Sequence, residues 1–202
     1  LKLAVINYNM GNLASVLNAI KRVGGEAIVE SEPNNLKNYD KILLPGVGAF
    51  GDAMRSLRET GMDNAILEFA KTGKNIFGIC LGLQLLFDES EEFGIHSGLG
   101  LIKGKVKRFQ KSNLKVPHMG WNLLTQIGNH KSPIFKDLPT DFYLYFVHSY
   151  YVETEYKYKI SNTNYGIEFT SAIQHENIFG LQPHPEKSHD NGLKILKNFI
   201  KL

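Results

Sequence analysis

A single cysteine, Cys80, and a single tryptophan, Trp121, occur among 202 residues. One thiol excludes an intramolecular disulfide framework, so the expected setting is a reducing, cytoplasmic one. No apolar run approaches the roughly 18 residues needed to cross a bilayer. Residues Leu1 to Ile6 are too short a stretch, and lack the small-residue cleavage site, to read as a signal peptide. Charge of one sign is also scarce: 23 basic residues against 20 acidic ones leave a net +3. That balance gives no electrostatic reason to expect nucleic acid or an anionic membrane as partner. The one basic run, Lys103 to Arg108, alternates its charges with small or apolar residues and reads as a strand with a solvated face. Repeats, low-complexity tracts and long Pro/Ser linkers are missing too. What remains, 43% hydrophobic and 21% charged, is the composition of a globular protein, read as a single domain over residues 1–202 with one substantial core.

Up to about residue 90, short apolar runs alternate with amphipathic segments. LAVIN (3–7) reads as a buried strand, and NLASVLNAIKRV (12–23) places Leu13, Val16, Leu17, Ile20 and Val23 at helical spacing, with Asn12 as its cap. AIVE (27–30), KILL (41–44) and NIFGI (75–79) read as further strands. Helices are expected around 51–59, around 63–72 and from about Leu81. Strands alternating with helices imply a mixed, mostly parallel sheet with helices on both faces. Residues 103–182 change to closely spaced strands, with FYLYFVHSYYVE (142–153) as one of them and a helical turn near SPIFKDL. The last dozen residues return to helical periodicity. The fold class expected is α/β with an added β-rich layer.

Cys80 lies in Gly78-Ile79-Cys80-Leu81-Gly82, between a buried strand and a helix. That layout is a nucleophile elbow, in which flanking glycines make room for a tight turn that lifts one side chain clear. A helix start and a nearby imidazolium can bring a cysteine pKa from about 8.5 to roughly 3.5–7.5, which would make the sulfur a thiolate at neutral pH. The alternative is a buried cysteine acting as a small apolar side chain. A nucleophile needs a base, and the base an orienting group. LQPHPEKS offers His184 and Glu186, which an extended backbone between Pro183 and Pro185 would point to one side. The other histidines, His96, His118, His130, His148, His175 and His189, read as structural or surface residues. No metal-ligand spacing is present, and no cofactor is expected.

Gly46-x-Gly48-x-x-Gly51 formally matches a dinucleotide fingerprint, but the loop begins with Pro45 and the next strand ends on the cysteine rather than on an acidic ribose ligand. The same glycines suit another chemistry, since Gly46, Val47 and Gly48 could turn backbone N–H groups toward a developing oxyanion. A plain turn is the competing reading.

Six segments occur in order: YNMGNLASV, LPGVGAFGDAM, GICLGLQLLF, PHMGWN, YFVHSYY and HPEKS. Together they resemble the class I (triad) glutamine amidotransferases over the whole chain, and within them the glutaminase subunits that serve histidine biosynthesis. The resemblance implies a flavodoxin-like fold, hydrolysis of L-glutamine to glutamate and ammonia, and Cys80, His184 and Glu186 as nucleophile, acid-base and orienting carboxylate. It further implies oxyanion stabilisation by Gly46 to Gly48 and a glutamine pocket lined by Gly82, Gln84 and the backbone of Ser149 and Tyr150. Only residues 187 to 202 follow Glu186, too few for a synthase domain, so the expected ammonia acceptor is a separate (β/α)8 cyclase in a heterodimer. Asn12, Trp121 and Lys187 are candidates for that contact. The family usually writes the first loop Asp-Tyr-Gly-Met-Gly-Asn, whereas this chain has Asn7 and Asn9, and it carries Pro183 before the histidine where a residue with an N–H is usual. Those departures leave room for a paralogous subunit that feeds ammonia to amidination of a surface-glycan or flagellar sugar.

Overall fold

The structure is a computed structural model and describes residues 1–110, 113–128 and 131–202. The first half is built of β1 (Leu3–Ile6), α1 (Leu13–Arg22), β2 (Ala27–Glu30), β3 (Lys41–Leu44), α2 (Phe50–Thr60), α3 (Met62–Lys71), β4 (Asn75–Ile79), α4 (Leu81–Leu85), β5 (Phe87–Ser90) and β6 (His96–Ser97). It is followed by β7 (Ile102–Arg108), β8 (His118–Gln126), β9 (Asp141–His148), β10 (Tyr150–Thr154), β11 (Lys159–Asn164), β12 (Glu168–His175), β13 (Ile178–Leu181) and α5 (His189–Lys201). All thirteen described strands belong to one sheet of order β2-β1-β3-β4-β13-β12-β10-β7-β5-β6, from which β11, β8 and β9 branch at β12. The half from β2 to β13 is parallel. Beyond it the pairing is largely antiparallel, so the β-rich portion continues the same sheet.

The short strands β1, β3, β4 and β13 are apolar almost throughout because both of their faces are covered, as parallel sheets require, while edge strand β2 leaves Ile28 and Val29 exposed. Alternate residues serve opposite cores. Ala4, Ile6, Ile42, Leu44 and Ile76 pack with Phe50, Met54 and Leu57 of α2 and Ile66 and Phe69 of α3. Leu3, Val5, Leu43, Phe77 and Ile79 pack with Val16 and Ile20 of α1 and Ile195, Leu196 and Phe199 of α5. The Phe77 and Phe199 rings sit 5.0 Å apart at 45°, each fully buried side chain contributing about 2 kcal/mol by removal from water.

Differences from the sequence expectation have local causes. The segment expected as one strand over 142–153 is two, because β9 follows β8 into the branch while β10 joins β7 and β12, and the chain changes partner at Ser149. The strands β5 and β6 carry no apolar alternation and were not expected; parallel pairing with β7 holds β5 in place. His118, whose position after Pro117 suggests a loop, instead opens β8. Asn12 does not cap α1 with its side chain.

Gly82 fixes the join between sheet and α4. A β-carbon there would lie 1.8 Å from the Leu44 carbonyl oxygen, with the Pro45 oxygen at 3.2 Å. Both neighbours are backbone, so nothing flexible can yield. Gly82→Ala is therefore expected to lower unfolding stability by about 3 kcal/mol. Gly73→Ala, at a φ of 75° with open space around it, should cost about 1 kcal/mol. Urea unfolding of both variants checks the contrast, and equal losses would contradict this packing.

Candidate active site

Four loops meet at the carboxyl ends of the parallel strands, the edge at which open α/β sheets gather ligands. β1 delivers Asn7 to Asn12, β3 delivers Pro45 to Gly48, β4 delivers Cys80, and β13 delivers Gln182 to Glu186. The register pairs Ile79 with Leu181, and the Cys80 N–H donates to the Leu181 carbonyl at 2.8 Å. Residues about a hundred positions apart in sequence are thereby neighbours. Cys80 holds φ 52° and ψ −108°, a conformation unfavourable for a residue with a β-carbon and costing on the order of 1–3 kcal/mol. Gly78 and Gly82 flank it without a β-carbon.

His184 and Glu186 have side chains 1% exposed, with Nδ1 2.7 Å from Oε1. The geometry differs from the extended backbone expected. His184 itself is extended, but Pro185–Lys187 forms a short 3-10 turn, which brings the carboxylate back to the ring. Glu186 Oε1 also accepts from Asn12 Nδ2 at 2.8 Å, so the side chain read as a cap holds this carboxylate. Among the described residues His184 Nε2 meets no partner at full hydrogen-bonding geometry. Burial by itself would lower the pKa of this imidazole; the charge of Cys80, followed by its pairing with Glu186, outweighs burial and raises it to about 10.

A cavity of about 570 Å³ opens beside the sulfur, lined by Val47, Gly48, Leu81 and Gln84 on one side and by Val147 to Tyr150 on the other. Glu92 and Arg108 line it too and were not expected; no local pattern marks them, since they come from separate loops and strand ends. Burial holds the Glu92 carboxyl above its ordinary pKa. Gln84, Ser149 and Tyr150 are thus among the residues that line this cavity. Gly82 does not line the cavity, because its α-carbon is pressed on Leu44. Gly46 lies under Tyr8, whose hydroxyl donates to the Pro45 carbonyl, and Gly46 and Gly48 hold φ of 144° and 121°. In the first loop Asn9 takes a φ of 65°, which asparagine tolerates, and its N–H donates to Asn7 Oδ1 at 3.3 Å. Trp121 is 47% exposed and stacks on His189 at 5.1 Å; Lys187, two residues before His189, is exposed. Among the described residues no group of His, Cys, Asp or Glu is placed to hold a metal ion, and no helix is long and apolar enough to cross a membrane.

The profile of one protein family, glutamine amidotransferase class-I, matches residues 4–202. The chain belongs to the class-I glutamine amidotransferases. Among curated relatives, the imidazole glycerol phosphate synthase subunit HisH of Sulfurimonas denitrificans is 59% identical, with 98% of this chain and 97% of that protein covered. The proteins of the same name from Wolinella succinogenes and Helicobacter hepaticus are 52% and 47% identical, covering 98% and 100% of this chain and 98% and 99% of theirs. Among solved structures, PurLQS from Thermotoga maritima superposes with a TM-score of 0.79 at 21% identity, covering 99% of this chain and 97% of that one. A structure described as glutamine amidotransferase superposes at 0.76 and 17% identity, covering 98% and 99%. At those identities the two structures speak to the shared fold alone.

In the wall of the cavity of this amidotransferase begins a feature the sequence reading missed. His118 and His148, taken as structural or surface residues, are both buried and joined by their ring nitrogens, Nδ1 to Nε2, at 2.9 Å. His148 Nδ1 faces the Tyr150 carbonyl at 2.8 Å, and Asn122 Nδ2 faces His118 Nε2 at 3.1 Å. A carbonyl only accepts, so His148 donates from Nδ1 and each ring is neutral, with one donor and one acceptor. Burial lowers the pKa of His148 to about 3 and that of His118 to about 4. His96 opens β6, His175 packs against Tyr158, and His189 opens α5, while His130 lies outside the described residues.

Unfolded, these two rings would each take a proton near pH 6.5, which the native state refuses. Between about pH 6.5 and 4 the unfolded chain binds more protons, so stability falls as pH falls through that window. His184, raised instead, acts above it: its stabilisation is complete below about pH 6.5 and is lost as pH rises through 10. Denaturant unfolding between pH 6.5 and 5 is expected to show the acid loss, with a shallower slope for His148→Gln. Identical slopes in the two proteins would contradict the assignment.

Proposed function

We propose that this chain is the glutaminase subunit of an imidazole glycerol phosphate synthase. It hydrolyses glutamine to glutamate and ammonia, and the ammonia passes to a separate (β/α)8 cyclase that makes imidazole glycerol phosphate and AICAR. The observation that carries this reading is the 59% identity across 98% of the chain to a protein of that name. Three such relatives carry the synthase name, which favours this acceptor over an amidinated sugar.

Chemically, the Cys80 sulfur attacks the carboxamide carbon, and backbone donors of the Gly46 to Gly48 loop meet the oxyanion. Val47 and Gly48 border the cavity beside that sulfur. His184, held by Glu186, gives a proton to the departing nitrogen as the C–N bond breaks, leaving a γ-glutamyl thioester. The same imidazole then takes a proton from water, which cleaves the thioester and frees glutamate. Glu92 and Arg108 in the cavity wall complement the α-ammonium and α-carboxylate of an amino acid. For the partner, support comes from a patch next to the site. Met119 and Trp121 on β8 and Tyr143 on β9 are 61%, 47% and 57% exposed, and Lys187 stands just past Glu186. Exposed aromatics of this kind suit a protein interface.

Cys80→Ser, assembled with the cyclase, is expected to lose glutamine-dependent synthesis by at least a thousandfold while ammonia-dependent synthesis stays near wild type. Product formation measured with each nitrogen source decides it. Equal loss of both activities would overturn the reading.

A further inference from the structure

Gln182 is fully buried one residue beyond β13 and directs its side chain at the nucleophile. Its Nε2 lies 3.6 Å from Cys80 Sγ, within hydrogen-bonding range of sulfur. Its Oε1 lies 3.2 Å from Gln84 Nε2, and that same nitrogen lies 3.2 Å from the Tyr150 carbonyl oxygen. The direction of this chain of bonds is not arbitrary. A backbone carbonyl can only accept, so the end of Gln84 that faces Tyr150 must be its NH2 group. The atom of Gln182 facing that NH2 must then be oxygen, which leaves the NH2 of Gln182 facing the sulfur. One carbonyl, fixed in turn by His148 Nδ1–H at 2.8 Å, sets the polarity of the whole series.

Resting on the glutaminase reading above, we infer that Gln182 is a catalytic residue that donates an N–H to the Cys80 sulfur, stabilising the thiolate over the thiol. In the thiol form the S–H has a different partner, the Val147 carbonyl at 3.9 Å. Deprotonation leaves that carbonyl facing a negative sulfur, and the Gln182 donor answers the charge. An uncharged donor suits the position. It favours the thiolate without competing with His184 for the proton that must reach the leaving nitrogen. A hydrogen bond to an ionised group in a buried setting is also among the stronger ones available.

The test uses the full chain, in which Cys80 is the only cysteine, so alkylation by iodoacetamide reports one sulfur. Several charged or titratable groups surround it: His184 and Glu186 after β13, Tyr8 after β1, and Glu92, Arg108 and His148 around the cavity. All of them remain in Gln182→Met, which keeps the length of the side chain and removes the donor. The pH midpoint of Cys80 alkylation is expected to rise by about one unit in that variant. In the complex with the cyclase, kcat for glutamine should fall at least tenfold with KM within about twofold. A midpoint within roughly 0.2 units of wild type would overturn the inference, since a purely packing role lowers stability without moving it. A second measurement needs no variant. In the unaltered protein, the side-chain amide proton signals of Gln182 should titrate with the alkylation midpoint and shift again once the sulfur is alkylated; signals that stay put overturn the assignment. Both readouts require neither glutamine nor partner, so they decide the role of Gln182 independently of whether the complex turns over glutamine.

Discussion

Parallel pairing of β4 with β13 sets Ile79 beside Leu181 and carries Cys80, Gln182 and His184 to one edge of the sheet. Neither strand has a side chain that does chemistry. Their contribution is register, enforced by the two apolar cores that claim alternate residues of each strand. A slip of one position would exchange the faces of Phe77 and Ile76 between those cores and move the sulfur away from the imidazole. The other strand ends follow from the same alignment. β3 brings the glycine loop alongside Cys80, and β1 brings Asn12 within 2.8 Å of Glu186.

Once the edge is assembled, burial determines how its polar groups behave. Cys80, Gln182, His184 and His148 are all under 9% exposed, and each polar atom there must find a protein partner or bear the cost of lacking one. The result is a sorting of histidines by surroundings. His184 sits between a sulfur and a carboxylate and is pushed toward its charged form, whereas His118 and His148 are buried among aromatic rings, hydrogen-bonded to each other, an amide and a carbonyl, and stay neutral. Three imidazoles in one region thus take opposite protonation behaviour. The strained backbone at Cys80 fits the same picture. Its cost is carried by the close packing of Gly82 on Leu44, where replacement of a hydrogen by a methyl group would force the strand end and α4 apart.

Much of this was legible in the chain itself, and the parts that were not share a cause. Strands such as KILL and NIFGI and the helix over 13–22 are written in local periodicity, and their boundaries fell within about two residues. The elbow around Cys80 was legible because glycines at 78 and 82 have a steric meaning that needs no distant partner. Asn12 was misread because its sequence position suits a cap, while its true partner lies 174 residues away. The spatial closeness of His184 and Glu186 was expected for the wrong reason: an extended backbone was assumed where Pro185 begins a turn. Gln182, Glu92, Arg108 and the His118–His148 pair went unseen because their significance lies in which strand end adjoins which. For Gln182 a signal existed all the same, since any residue immediately past β13 must adjoin the residue immediately past β4.

The account depends on Cys80 being a nucleophile whose reactivity comes from His184 across that strand register. Covalent labelling with a reactive glutamine analogue such as a diazo-oxo-norleucine, in the presence of the cyclase and followed by mass spectrometry, tests this directly. The expected result is a single adduct on Cys80 in the wild-type protein, formed at least a hundredfold more slowly in a folded His184→Ala variant. An adduct elsewhere, or equal rates in the two proteins, would contradict it.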